Sequence, residues 1–301
     1  MSVAKIESGS DARDGVIAGL IAYSLWGILP IYFKLVGSVS AEEILVHRVI
    51  WAVPFGALII HFRAQWSEVW RVLTHRNMLL WLATAAFFVA INWYIYIIAV
   101  QREQVFQASL GYYINPLLYV LVGVLFLGEK LRAGQGVAVA LAAIGVLVLT
   151  FSGGELPVIA LALGFSFTVY GVIRKKIVVG GMPGLFVETL ILLPIALLGM
   201  AWIFNSGQAA FAYEGPGITG LLLLAGPVTV IPLLCFALAA RRVKLTTLGF
   251  MQFLAPTLQF CMGLYYGEVL TTAHLICFGC IWTAVIMFSL DAVRANRAAL
   301  Q

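Results

Sequence analysis

The stretch SLGYYINPLLYVLVGVLFLGEKL, residues 109–131, decides the fold class. It is an apolar run of helical length, interrupted by Asn115-Pro116 and closed by Gly128-Glu129. A second copy, TLGFMQFLAPTLQFCMGLYYGEVL, occupies residues 247–270. Both run Leu-Gly-aromatic, then a proline within an apolar run, then Gly-Glu. Gly111 to Glu129 spans eighteen positions and Gly249 to Glu268 nineteen, so the copies match apart from one inserted residue. The chain reads as a duplication.

Composition says what surrounds these helices. Hydrophobic residues make up 62% and charged ones 10%, against about 45–50% and about 25% in soluble domains. An all-α integral membrane protein follows. A hydrocarbon core of about 30 Å takes roughly 20 apolar residues per helix, so the chain has room for about ten spans and no large soluble domain. The apolar runs place them at 15–36, 42–62, 77–100, 106–127, 133–151, 155–173, 184–203, 217–240, 246–267 and 273–291. The first fourteen residues mix Lys5 and Arg13 with Glu7, Asp11 and Asp14, and no small-residue cleavage site follows, so the first run reads as a retained span.

Basic residues in short loops stay on the cytoplasmic side. With the N-terminus inside, fifteen of the 18 Lys and Arg residues fall in inner segments, among them Arg63, Arg71, Arg76, Lys130, Arg174, Lys175, Lys176, Arg241 and Arg242. The outer loops hold only Arg102, while Lys34 and Arg48 lie at or inside helix ends. Both termini are therefore expected to be cytoplasmic. An odd number of spans per half then turns the second copy over, giving two inverted five-helix repeats at 15–151 and 155–291, between an N-terminal segment 1–14 and a tail 292–301. Ser24-Leu25-Trp26-Gly27 answers Thr168-Val169-Tyr170-Gly171, and Glu43 and Glu188 follow these glycines by sixteen and seventeen residues. Inverted repeats are a common secondary-transporter architecture, with the binding site near the midplane.

The repeat, with its proline and terminal Gly-Glu, resembles the EamA domain of the drug/metabolite transporter superfamily. Further residues resemble its RarD branch: Trp26-Gly27, Pro30, Tyr32, Lys34, Glu43, His47-Arg48, Trp51, Asn92-Trp93, Ser109 to Tyr112, Asn115 to Leu117, Tyr170-Gly171, Arg174 to Lys176, Glu188-Thr189 and Thr247 to Phe250. Val269 departs from the pattern, since a basic residue is favoured after the Gly-Glu, as Lys130 supplies after Glu129. The resemblance implies a cytoplasmic-membrane carrier of small metabolites or drug-like amphiphiles, working without ATP hydrolysis and often as an exporter. It names no substrate. No G-x-x-x-x-G-K-[ST] loop is present and no cofactor is expected, so the energy would come from a proton or other ion gradient, or from the solute's own gradient.

Charges within spans are disfavoured by about 2.5–3.5 kcal/mol at the helix centre, which makes Lys34, Glu43, His47, Arg48 and Glu188 functional candidates. Glu43 and His47, four apart, share a helix face. Two readings stand side by side. Long side chains near helix ends can snorkel to the interface. Alternatively Glu43 and Glu188 are symmetry mates that gate opposite sides, pairing with Lys34 or Arg48 at one end and Arg174 at the other. Glu43 with His47 is also a candidate proton-sensing pair, whereas an ion pair with Arg48 would keep Glu43 ionised and structural.

Trp26, Asn92, Trp93, Tyr96, Tyr112, Tyr113, Asn115, Tyr170, Gln252 and Gln259 bring amides and polar-tipped rings into the spans, a lining suited to a planar or amphiphilic solute. The competing reading for Trp and Tyr is an interfacial belt. Pro116 and Pro256 interrupt corresponding helices, the best sequence pointer to a central site. Trp66, Val69, Trp70 and Leu73 fall at helical spacing in the 62–77 loop, predicting an amphipathic helix on the inner leaflet. Gly263 and Gly267 form a G-x-x-x-G pattern that permits close packing, internally or between subunits. Cys277-x-x-Cys280 has no second pair and reads as apolar thiols rather than a metal site. The net charge of +5 comes from loop bias and indicates the inner leaflet, not nucleic acid. A membrane-embedded enzyme lacks its marks, H-E-x-x-H or G-x-S-x-G; a channel or facilitator is the remaining alternative.

Overall fold

A computed structural model describes residues 9–127, 133–153, 156–243, 248 and 251–298. The Gly128-Glu129 and Thr247 to Phe250 motifs therefore lie outside the described residues, Leu248 excepted. Among the described residues the chain is helical, with no strand. Helix α1 (Gly9–Gly27) and α2 (Leu29–Leu35) form the first expected span. The break at Ile28 precedes Pro30, which has no N–H to continue the helix and so opens the next one. Helix α3 (Ala41–Phe62) starts at Ser40, whose hydroxyl accepts the Glu43 N–H at 3.2 Å. There follow α4 (Trp66–Thr74), α5 (Arg76–Gln101), α6 (Val105–Leu127) and α7 (Ala133–Gly153). The second half has α8 (Val158–Lys176), α9 (Gly181–Asn205), α10 (Pro216–Leu223), α11 (Ala225–Arg242), α12 (Leu254–Tyr265) and α13 (Thr272–Ala298).

Eight stretches among the described residues are long and apolar enough to cross a membrane. Large apolar side chains such as Phe151, Leu198 and Phe165 point outward, as a lipid-facing surface requires. The chain is a multi-pass membrane protein. Ten spans were expected; the two not among the eight are α6 and α12, the latter with only 12 residues in its described helix. The 217–240 run is divided at Leu224 into α10 and α11. Helix α6 runs unbroken through Pro116, and Pro256 falls in the first turn of α12, where its missing N–H costs least. The loop helix is present as α4, with Val69 and Val72 buried and Trp66 edge-on to Phe186; Trp70, expected on the apolar face, is 62% exposed. Gly267 does not extend a packing stripe. It lies past the end of α12 at φ 80°, a left-handed terminator.

The packing repeats itself. Helix α1 packs on α11 and α12, and α8 on α5 and α6; α3 packs on α9 and α11, and α9 also on α5; α6 meets α12, and α7 meets α13. Exchanging α1 with α8, α3 with α9, α5 with α11, α6 with α12 and α7 with α13 maps every one of these pairs onto another or onto itself. The prolines keep the same register, because 140 residues separate both Pro54 from Pro194 and Pro116 from Pro256. At Gly27 a Cβ would lie 2.6 Å from the Leu258 Cβ on α12. At Gly171 one would meet the Tyr119 hydroxyl of α6 at 1.7 Å, so each glycine lets its helix approach the corresponding neighbour.

Candidate functional site: buried charges between the helices

Arg48 sits on the second turn of α3, 4% exposed. Its Nε–H donates to the Thr229 hydroxyl of α11 at 3.1 Å. The guanidinium lies 4.4 Å from the Trp93 ring centroid and 5.4 Å from that of Phe33. Tyr32, Tyr96 and Tyr112 are its electrostatic neighbours, and its Nη1 is buried without a hydrogen-bond partner. A buried charge costs several kcal/mol even after relaxation. Cation–π contacts return about 2 kcal/mol or more each when desolvated. Among the described residues Arg48 makes no ion pair.

Beside it, the Asn92 amide of α5 donates to the Leu163 carbonyl and the Ser166 hydroxyl of α8, both at 3.0 Å, and accepts from the Tyr112 hydroxyl at 3.0 Å. Asn115 accepts from Thr168 at 3.4 Å. The Ser109 hydroxyl donates to the Pro256 carbonyl at 2.8 Å, and Gln259 donates to the Trp26 carbonyl at 3.1 Å. The Trp26 ring packs with Tyr23 and Phe236. The Tyr96 hydroxyl lies beside the Gln259 side chain, and neither it nor the buried Gln259 carbonyl oxygen has a hydrogen bond of normal geometry. Gln252, just before α12, is half-buried and its backbone N–H bonds Leu248.

At one end of the bundle, Glu43 is fully buried. Its carboxylate accepts from the Ala210 N–H at 2.9 and 3.0 Å and from the Phe211 N–H at 2.9 Å, so the loop after α9 is clamped onto α3. His47 Nδ1 accepts from the Trp51 indole at 2.9 Å, which directs Nε2 toward Glu43 at 3.9 Å, beyond hydrogen-bond reach. Lys34 pairs instead with Glu103 at 3.3 Å and lies over Tyr266. Glu268 accepts from the Val105 and Phe106 N–H groups at the start of α6. Burial pushes its carboxyl above the ordinary range, against those two donors and Lys34. It serves as a helix cap, which explains why no basic residue is needed after it.

At the other end Glu188, fully buried on α9, lies 3.4 Å from Arg174 and accepts from the Tyr170 hydroxyl at 3.3 Å. The Arg174 guanidinium crosses Gly184, where a Cβ would fall 2.0 Å from Nη1. Arg174 also donates to the Gly180 carbonyl at 3.4 Å. Glu68 of α4 accepts the Gly180 N–H at 2.8 Å, and Arg71 donates to the Val178 carbonyl at 3.3 Å.

Of the expected gate contacts, Glu188 with Arg174 forms, while Glu43 pairs with neither Lys34 nor Arg48. Nor are the two glutamates equivalent. The proline register sets Glu188 opposite Arg48, and Glu43 opposite Pro183. Gly27 and Gly171 gave a different offset because they lie on helices upstream of unequal connections. Thr229, Ser166 and the 206–215 loop escaped the sequence reading. Ser40-x-x-Glu43 was a visible capping-box signal, of which only the serine half forms.

Residues 13–151 match the model of the EamA-like transporter family. A Vibrio cholerae protein described as an uncharacterized transporter is 47% identical over 291 residues, 96% of each chain. The RarD protein of Salmonella typhi is 45% identical over 286 residues, covering 95% of this chain and 97% of its own. This chain belongs to the RarD-type branch of the drug/metabolite transporter superfamily. RarD-type membership makes it a membrane transporter, and bears out the resemblance carried by Trp26-Gly27, His47-Arg48 and Asn92-Trp93. A crystal structure superposes on the whole molecule with a TM-score of 0.59 at 19% identity, covering 95% of this chain and 99% of that one, so the fold is shared.

Proposed function

We propose that the protein is a secondary active carrier that exports small amphiphilic metabolites or drug-like solutes across the cytoplasmic membrane by alternating access. Its frame is ten spans in two inverted five-helix repeats, 15–151 and 155–291, with both termini cytoplasmic. The observation that carries this reading is the pseudo-symmetric packing, in which α3 and α9 face each other and each sets a buried ionisable residue, Arg48 or Glu188, at the same register. Two halves related in this way can close one end while opening the other. The Glu43 clamp then belongs to the outer closure and the Glu188–Arg174 pair to the inner one. Lining groups are Trp26, Asn92, Tyr96, Tyr112, Asn115, Tyr170 and Gln252, with Pro116 and Pro256 flanking them.

Proton coupling through Glu43 and His47 has weaker support than a structural role, because backbone donors hold the carboxylate and the imidazole stands off. Purified protein in liposomes tests the function. A carrier gives saturable flux that a second solute competes for, and collapse of an imposed pH gradient reduces it if protons drive it; flux linear in concentration would identify a channel.

A further inference from the structure

Arg48 is the feature that the carrier reading leaves unexplained. An arginine keeps its charge at any physiological pH. A buried cation normally finds a carboxylate, yet among the described residues the glutamates held within the bundle are committed elsewhere: Glu43 to the 206–215 loop, Glu188 to Arg174 and Glu268 to α6. What surrounds the guanidinium is aromatic, with Trp93 and Phe33 on its faces and Tyr32, Tyr96 and Tyr112 around it. One hydroxyl, that of Thr229, holds Nε, and Nη1 is left with no acceptor. The neighbouring Tyr96 hydroxyl is likewise without a bond.

We infer that Arg48 is the anchor for an anionic solute, an aromatic or other planar carboxylate, whose charged group takes the vacant Nη1 while its apolar body lies among Trp93, Tyr96 and Tyr112. This rests on the carrier reading and specifies its substrate class. The chemistry is complementary on both counts. Guanidinium recognises a carboxylate through paired N–H donors, and the rings offer apolar area, with the unbonded Tyr96 hydroxyl placed to donate to the second oxygen. Bound anion would also neutralise a charge that the empty occluded form must carry unpaired, so the loaded carrier crosses between its two states more readily than the empty one. The anion enters only when one end of the bundle opens, since Arg48 is 4% exposed in the closed form.

Matched probes make the test independent of the natural substrate. Phenylacetate and indole-3-acetate are compared with their neutral amides and with tryptamine, by isothermal titration calorimetry on purified protein and by competition in the liposome flux assay. The wild type should bind the acids at least tenfold more tightly than the amides, and Arg48→Gln should abolish that preference. Arg48→Lys, which keeps the charge and loses the planar fork, should retain part of it. Arg102→Gln, an exposed arginine outside these contacts, should bind as the wild type does. Should Arg48→Gln fail to fold, the acid-to-amide ratio of the wild type decides alone. Equal or weaker binding of the acids overturns the inference, as does an Arg48→Gln protein that still prefers them. If saturable flux persists with neutral or cationic solutes the carrier reading survives that failure; flux that never saturates removes the carrier reading itself.

Discussion

Replacing Glu43 with glutamine should loosen the loop after α9 without unfolding the bundle. The carboxylate takes two backbone N–H donors, Ala210 and Phe211, at 2.9–3.0 Å in a fully buried position. Hydrogen bonds to a charged group contribute about 1.5–3 kcal/mol each. An amide keeps one acceptor oxygen, now neutral, and turns an NH2 toward the other donor. The net loss is then about 2–4 kcal/mol in the clamp. At 1.4 kcal/mol per factor of ten, amide hydrogen exchange at Ala210 and Phe211 should speed up by roughly thirtyfold to several hundredfold. Exchange in α7 and α13, which belong to a separate buried cluster, should stay as it was. Mass spectrometry on protein in nanodiscs resolves this region. Unchanged protection of residues 206–215 in Glu43→Gln would refute the clamp, and a uniform rise across all helices would show general destabilisation instead.

Other positions give sharper contrasts. Gly226→Ala would bring a Cβ within 2.4 Å of the Trp51 carbonyl oxygen and force α11 from α3, costing about 1–3 kcal/mol or more and lowering the Tm; Gly136→Ala on α7, with nothing within 4 Å, should be neutral or stabilise by up to about 1 kcal/mol. Asn92→Leu leaves the Tyr112 hydroxyl without its buried acceptor, so Tm should fall by the equivalent of about 1–3 kcal/mol, while Thr84→Leu on the exposed face of α5 should leave Tm unchanged. Neutralising Glu188 or Arg174 alone strands the other charge, a loss of about 3–5 kcal/mol for a buried pair. The double variant Glu188→Gln, Arg174→Gln should therefore be less impaired in stability than the two single losses add up to, and a strictly additive double mutant would remove the pairing.

Much of this was legible in the sequence because membrane insertion writes in long apolar runs. The helices, the duplication and the amphipathic α4 came from such patterns. Asn92, Arg48 and Glu188 were singled out for the same reason, since polar groups are conspicuous against an apolar background. Partners were not legible. Glu43 looked like half of an ion pair, but its acceptors are satisfied by backbone N–H groups of a loop, and backbone donors carry no sequence signature. Lys34 found Glu103 rather than Glu43, a contact set by how α2 meets the turn after α5. Glu43 and Glu188 stand at nearly equal distances from Gly27 and Gly171, whereas the prolines within α3 and α9, 140 residues apart, set Glu188 opposite Arg48 instead.

Alternating access itself is tested most directly by asking from which side a central position can be reached. With Cys235, Cys261, Cys277 and Cys280 replaced, single cysteines at Ser38, Thr229 and Val178 are challenged with a membrane-impermeant maleimide applied to intact cells or to inverted vesicles. Ser38 should label only from outside and Val178 only from inside. Thr229 should label from each side in turn, and a cross-link between cysteines placed at Ser38 and Glu214, whose side chains meet at 2.7 Å, should abolish its outside labelling while leaving the inside labelling intact. Labelling of Thr229 from one side alone, or from both sides despite the cross-link, would contradict a carrier that opens its two ends alternately.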